Sequence, residues 1–362
     1  MNYLDLSNVI LRELGEVPIT TTSSQVGFQR FIVDGVNRAI RDVDGAYFDW
    51  PHNYSAQTDA TVPGQAEYAW STTLRRVDIN SFILVPTDLV TNGQFTSDIS
   101  SWTDNSSANG TTVYSATGNG RLSLTPGSSG IASTYQALDT TSGAQYRVYV
   151  RTVTGSTAVV GLKLGTTAGG TEIGTQSLTT DSPGDGAYNS FTFNSTATTT
   201  YLTLHSSVAS VTHDVDRIQV FEDMQPVELN HLSNEEWNSR FSEDERLLDP
   251  SSFGVPASVS FTKNNKYRLG PLPDKTKYTV EYDGWLTPTT LSSSGDTPDL
   301  PDRFDDVLIN RVLYYAHRYR SDHQAAATSL RDYQSSLKSA RTELINEEDY
   351  MLTDVIPRQR YI

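Results

Sequence analysis

Two hydrophobic periods divide this sequence, and the change between them limits what the chain can fold into. Leu4, Leu6, Val9, Ile10 and Leu14 recur at helical spacing until Gly15 and Pro18 stop them. A second helical stripe starts near Ser23 and Ser24 and carries Phe28, Phe31, Ile32, Val36, Ala39, Ile40 and Val43. Its opposite face holds Gln29, Asp34, Asn37, Arg38 and Arg41. An extended region with Trp50, Tyr54, Tyr68 and Trp70 follows, and residues 77–85, from Val77 through Ile79 and Phe82 to Val85, read as one strand. From 89 to 222 helical spacing is lost. Tyr146–Val150, Val159–Leu164, Phe191–Phe193 and Tyr201–Leu204 are apolar runs of strand length separated by Gly, Ser, Thr and Asn. Many short strands with such punctuation predict a β-sandwich or jelly roll, and their regular aliphatic and aromatic beats argue against a disordered linker.

After residue 222 mixed patterning returns. Ser233 and Glu236 form a capping box that starts a helix. Ala257–Phe261 and Tyr278–Tyr282 read as strands, on either side of a turn closed by Pro271 and Pro273. From Leu300–Phe304 the stripe Phe304, Val307, Leu308, Val312 and Tyr315 predicts one long helix running to about Asn346. The outer segments share a style that the middle interrupts, so 89–222 reads as a domain inserted into a host of residues 1–88 and 223–346, with 347–362 as a C-terminal extension.

Composition narrows the function. The chain has 362 residues and a formal charge of −16, so it lacks the clustered Lys and Arg with which a broad basic face neutralises duplex phosphates. An acidic wall repels the phosphate backbone, which suits a conduit for nucleic acid. Without cysteine there is no disulfide and no thiolate metal site. Asp5 and Glu13 interrupt the first apolar run, and no stretch approaches the ~18 apolar residues of a membrane span. The expectation is a soluble chain made in the cytoplasm, without membrane contact.

Catalytic signatures are not found. Nucleophile-elbow, HExxH and phosphate-loop patterns are missing, so the chain is read as a non-enzyme without cofactor. His317 and His323 stand six apart on the predicted helix, which keeps them off one face and rules out a metal pair. Asp214 and Asp216 are weak candidates for a cation at a strand end, a polar turn being the plainer reading.

The host resembles the head-to-tail adaptor, or tail tubular, proteins of short-tailed bacteriophages. The resemblance rests on Phe31 through Ile40, Phe48-Asp49-Trp50-Pro51, Leu74-Arg75-Arg76-Val77-Asp78, Leu232 through Trp237, Leu269 through Asp274, and Asp299-Leu300-Pro301 leading to Tyr314-Tyr315-Ala316. It implies an α+β fold, a helical bundle with a small β-region. It also implies a homo-oligomeric ring, commonly of twelve subunits, between the portal protein and the tail nozzle or tubular protein, at the head–tail interface of a virion. Genomic DNA would pass through without specific binding. The C-terminal extension would grip the portal through Tyr350, Leu352, Ile356, Arg358, Arg360, Tyr361 and Ile362; a frayed terminus is the alternative.

The insertion has its own resemblance, to jelly-roll carbohydrate-binding modules. Asn92-Gly93-Gln94-Phe95 with Trp102 looks like their opening, and Val215 through Phe221 like their closing strand. Phe95 and Trp102 read as core. Tyr114, Tyr135, Tyr188 and Tyr201 are candidates for contact with glycan or protein. The insertion is read as facing other tail proteins, fibres or capsid; the alternative is a tail component whose jelly roll binds host-surface glycan.

Overall fold

The computed structural model describes residues 1–46, 50–154, 160–178, 187–207, 211–275 and 277–344. Two compact units share the chain. The first comprises residues 1–57, 69–81 and 282 onward, the second residues 58–68 and 82–281.

The first unit is built on helices. In α1 (Tyr3–Glu13) Asn2 caps the start by accepting from the Asp5 amide. With α2 (Gly27–Ala46) it buries the apolar stripes expected of both: Leu6, Ile10, Leu11, Ile32, Val36 and Ala39 are inaccessible to solvent. They pack on Val307, Leu308, Val312 and Ala316, which belong to the long C-terminal helical segment. A Cβ at Gly35 would lie 3.1 Å from a Val312 methyl, so glycine lets the two backbones approach closely.

That C-terminal segment is two helices, not the single one expected. The pair consists of residues 305–319 and residues 323–344, with Ser321 in the left-handed region at φ 63° between them. Asp322 then caps the second by accepting from the Ala325 amide. Folding back places Tyr333, Leu337 and Ala340 on the same core, which a continuous helix would have carried away from it. His317 and His323 consequently sit on different helices.

The strands begin with β1 (Tyr54–Ala60), β2 (Glu67–Ala69), β3 (Leu74–Val77) and β4 (Ile83–Pro86). The run expected as one strand over 77–85 is therefore broken: a 3-10 turn at Ile79–Ser81 separates β3 from β4. The Asp78 side chain accepts from the Asn80 amide and its carbonyl from the Ser81 amide, so local bonds outcompete the ladder.

Beyond β4 the second unit forms a sandwich. Its strands are β5 (Thr103–Asp104), β6 (Thr111–Ser115), β7 (Arg121–Thr125), β8 (Ala132–Asp139), β9 (Gln145–Thr154), β10 (Val160–Gly165), β11 (Gly174–Leu178), β12 (Ala187–Asn194), β13 (Thr199–Ser206) and β14 (His213–Glu222). One sheet has the order β11-β10-β13-β8-β5 and the other β12-β9-β14-β7-β6, with antiparallel pairing throughout the described registers. Tyr146, Val148, Leu162, Leu204 and Ile218 fill the space between them, and Phe95 and Trp102 join that core with ring centroids 5.7 Å apart. Burial of each such side chain contributes about 1.5–3 kcal/mol.

The chain returns through β15 (Val227–Glu228), which pairs antiparallel with β4, and β16 (Asn230–His231). Helix α3 (Asn234–Leu247) starts at the expected capping box, with Ser233 and Glu236 bonded reciprocally. Strands β17 (Ser258–Thr262), β18 (Lys266–Gly270) and β19 (Tyr278–Leu286) follow; a small sheet has the order β16-β17-β18-β2, and the first half of β19 pairs with β4. The C-terminal helices are α4 (Asp305–Tyr319) and α5 (His323–Leu344). No helix among the described residues is long and apolar enough to cross a membrane.

His213 lies wholly buried at the start of β14, and its ring nitrogens meet no hydrogen-bond partner among the described residues. Burial pushes its pKa below the ordinary 6.5. The folded state keeps the ring neutral while the unfolded chain protonates it near the ordinary value. Stability is thus full above about pH 6.5 and falls as pH drops toward the folded pKa, by up to about 1.4 kcal/mol per pH unit. Burial holds His52 and His205 low too. Thermal unfolding should therefore show a Tm that declines between about pH 7.5 and 5.5. His213→Leu should flatten that decline without abolishing it; an unchanged slope would contradict this assignment.

Candidate functional site

The most constructed polar region of the second unit is the joint where the chain enters and leaves the sandwich. Asp88 accepts from the amides of Val90 and Val220, both at 3.0 Å, through the same carboxylate oxygen. The Leu89 amide donates to the Val220 carbonyl at 2.8 Å, and the Ile218 amide to the Gly93 carbonyl at 2.8 Å. A Cβ at Gly93 would collide with the Ile218 carbonyl, so only glycine permits this approach. Burial raises the Asp88 pKa above the usual carboxylate value, against the pull of the two amides and the nearby Arg217.

Charged pairs extend the joint to the small β-region. Lys275 Nζ lies 2.6 Å from Glu222, and the buried Lys277 Nζ donates to Thr141 at 3.0 Å and lies 3.7 Å from Asp139. Arg147 Nε meets Asp223 at 2.9 Å, and the Asp223 amide donates to the Gln145 carbonyl. The Thr87 amide donates to the Lys277 carbonyl at 2.9 Å. The sandwich is thus held at several points besides its two covalent connections. Gly93, Ile218 and Val220 fall in the runs that open and close the insertion, but Asp88, Lys275, Lys277, Glu222 and Asp223 were not singled out in the sequence. The only available signals were an aspartate just before the grammar changes and two lysines just before β19, neither of which points to a contact across more than a hundred residues.

The candidate aromatic residues fall on separate surfaces. Tyr114 lies on β6, its hydroxyl donating to the Thr96 carbonyl at 3.2 Å. Tyr135 on β8 alternates with buried Thr134 and Gln136, so it faces away from the sandwich interior, beside Tyr201 at a ring separation of 5.7 Å. The loop after β10 reaches this sheet, with the Gly169 amide donating to Thr203 at 3.0 Å. Tyr188, on β12 of the other sheet, is 75% exposed and has the Arg151 guanidinium 5.4 Å from its ring centroid. Of the four candidate tyrosines the structure brings Tyr135 and Tyr201 together, while Tyr114 and Tyr188 lie apart from them on the other sheet.

Asp214 and Asp216 are engaged by arginines. Asp214 accepts from Ser123 at 2.6 Å and lies 3.5 Å from Arg121; Asp216 pairs with Arg151 at 2.6 Å. Burial pushes the Asp216 pKa up, opposed by Arg151, Arg121 and Arg217. An arginine lies beside each carboxylate, and no three His, Asp or Glu side chains among the described residues are grouped as metal ligands. The polar turn expected there is not found: Asp214 and Asp216 lie within strand β14, which pairs with β7 and β9. The portal-binding candidates Tyr350, Leu352, Ile356, Arg358, Arg360, Tyr361 and Ile362 lie outside the described residues.

Comparison with known proteins bears on the host. The model of the SU10 adaptor protein family matches residues 177–357, half of the chain, from within the sandwich through α3, α4 and α5. The chain belongs to the SU10 adaptor protein family, a family of phage adaptors, which points to a structural component of a virion. No curated protein matches the chain in sequence. Among solved structures, TmCBM61 in complex with β-1,4-galactotriose is 17% identical, at a TM-score of 0.30, over 38% of this chain and 99% of that one. Family 16 Carbohydrate Binding Module-2 is 15% identical, at 0.29, over 37% of this chain and 99% of its own. The enzymatically active domain of tailspike protein 4 from bacteriophage CBA120 is 14% identical, at 0.29, over 37% of this chain and 21% of its own. Likenesses this slight say nothing of ligand or activity.

Removing the Asp88 carboxylate would strand two buried amides. Asp88→Ala should lower stability by about 1–3 kcal/mol in urea unfolding, with Asp88→Asn losing less because it keeps an acceptor oxygen. Equal losses in the two variants would contradict this account of the joint.

Proposed function

We propose that the protein is the head-to-tail adaptor of a bacteriophage virion: a ring that joins the portal protein to the tail nozzle and lets genomic DNA through. The single observation that carries this reading is membership of the SU10 adaptor protein family. The −16 charge supports it, since an assembled ring multiplies that charge and a bore of the same sign as the phosphates lets DNA slide without sticking. In this reading residues 89–222 are an inserted jelly roll that meets other tail or capsid proteins. The clamped joint suits a fixed outward-facing part, because Asp88, Lys275 and Lys277 restrain its motion. Residues 347–362 are the portal-binding extension, with Tyr350, Leu352, Ile356, Tyr361 and Ile362 as apolar anchors and Arg358 and Arg360 as charged ones.

Mixing the full chain with the portal protein of its own virion should give a ring-on-ring complex visible by electron microscopy. Deleting residues 347–362 should weaken that complex at least a hundredfold, which on this scale is about 2.7 kcal/mol. Free protein throughout the mixture would defeat the proposal, as would a bore lined with lysine and arginine.

The exposed Tyr188 beside Arg151 supports a second reading, in which the sandwich binds host-surface glycan. An aromatic face with a polar flank stacks on a sugar ring. A glycan array probed with the full chain should then give a signal that Tyr188→Ala reduces at least tenfold. No signal, or a signal indifferent to Tyr188, leaves the sandwich to protein contacts.

A further inference from the structure

An asparagine followed by a glycine is a labile pair in water. Glycine has no Cβ, so its amide nitrogen can reach the carbonyl carbon of the preceding side chain. The sequence holds three such pairs, Asn92-Gly93, Asn109-Gly110 and Asn119-Gly120, each in a loop of the second unit. How readily each reacts depends on what holds its two reacting groups apart.

Two of the pairs are held. The Asn92 side-chain amide donates to the Asp98 carboxylate at 2.7 Å and to the Asp98 carbonyl at 2.9 Å, and the Asn92 carbonyl accepts from the Trp102 indole at 3.3 Å. Neither its side chain nor its backbone turns without breaking these bonds. At the second pair the Gly110 amide donates to the Ser107 carbonyl at 3.0 Å. The peptide units before it are packed on backbone: Cβ atoms at Gly127 and Gly130 would lie 2.6 Å and 2.2 Å from the Ala108 carbonyl oxygen. The Asn109 side chain is exposed, but the turn that carries it is wedged in place.

Asn119 is held by neither device. It lies in the loop between β6 and β7, where residues 116–119 are all exposed, and its side chain makes no hydrogen bond among the described residues. The Gly120 amide donates to the Thr117 carbonyl at 3.4 Å, beyond the usual range for such a bond. Gly120 itself passes against the Phe95 carbonyl, where a Cβ would lie 1.9 Å from the oxygen, so the nitrogen stays in place and the free side chain moves to it. The Arg121 guanidinium folds back on this loop, 3.3 Å from where a Cβ at Gly118 would stand, and also lies 3.5 Å from Asp214. Positive charge there favours an anionic intermediate.

We infer that Asn119 is a site of spontaneous deamidation. The Gly120 amide nitrogen attacks the Asn119 side-chain carbonyl carbon and forms a C–N bond. The side-chain nitrogen leaves as ammonia, taking the proton that the Gly120 nitrogen gives up, and a succinimide ring remains. Water then opens the ring at one of its two C–N bonds. Opening at the side-chain carbonyl yields aspartate; opening at the main-chain carbonyl yields isoaspartate, which lengthens the backbone by one carbon. Water and ammonia are the only other species consumed or released. The change adds one negative charge to the β6–β7 loop, and it stands apart from the adaptor reading.

The full chain, incubated at about pH 8.5 and then digested, should show by mass spectrometry at least fivefold faster conversion at Asn119 than at Asn92 or Asn109. Conversion should slow at about pH 6.5, because the attacking nitrogen must lose its proton. In denaturing urea the three pairs should convert at comparable rates, which assigns the difference to the fold. Asn119→Gln should keep the wild-type Tm and leave that loop unconverted. The inference is overturned if Asn92 or Asn109 keeps pace with Asn119 in the native chain, or if Asn119 stays intact there while the unfolded chain converts.

Discussion

One carboxylate, accepting two backbone amides at the place where the chain leaves a sheet and returns to it, governs how the second unit is put together. Asp88 binds Val90 on the outgoing segment and Val220 on the incoming one. A segment of well over a hundred residues can be accommodated between neighbouring strands only if its ends meet, and here β4 and β15 pair directly. The backbone amides nearest that junction would otherwise be buried without partners, a cost comparable to losing a hydrogen bond for each. Gly93 serves the same end by letting the chain pass against the Ile218 carbonyl.

Around that junction the charged contacts restrain more than they stabilise. Lys275–Glu222 and Lys277–Thr141 are partly or fully removed from solvent, and the desolvation cost of such groups offsets much of their attraction. Their effect is geometric: they tie the sandwich to the small β-region at points away from its covalent connections. A part held this way suits a structural component better than a tethered recognition module. This agrees with membership of a phage adaptor family and with a chain whose acidity disfavours gripping nucleic acid.

Much of the fold was legible from local pattern. The stripes of α1 and α2, the capping box of α3, the sandwich strands and the core placement of Phe95 and Trp102 follow from hydrophobic spacing, which reports the face an element buries. Two elements were misread for physical reasons. Residues 320–322 are Arg, Ser and Asp, with neither glycine nor proline, so the break between α4 and α5 carries only the weak signal of Ser321 and an Asp322 cap. Residues 77–85 have strand composition, yet Asp78 bonds locally and turns the chain at Ile79–Ser81.

The candidate sites were less legible, because periodicity in a strand says that neighbours alternate but not what lies beyond each face. Tyr135 and Tyr188 look equivalent in the sequence, although one pairs with Tyr201 on one sheet and the other with Arg151 on the opposite sheet. Asp214 and Asp216 have the spacing of a weak cation site, and only the strands beside them bring Arg121 and Arg151 next to their carboxylates. By itself the sequence determined the kinds of element, the change of grammar at residue 89 and the acidic character of the chain, all of which depend on near neighbours and totals. Tertiary structure alone decided where the long helical segment folds, how the sandwich is clasped, and which aromatics stay exposed. Those outcomes depend on groups far apart in sequence meeting in space, and on bonds whose strength appears only once water is excluded from them.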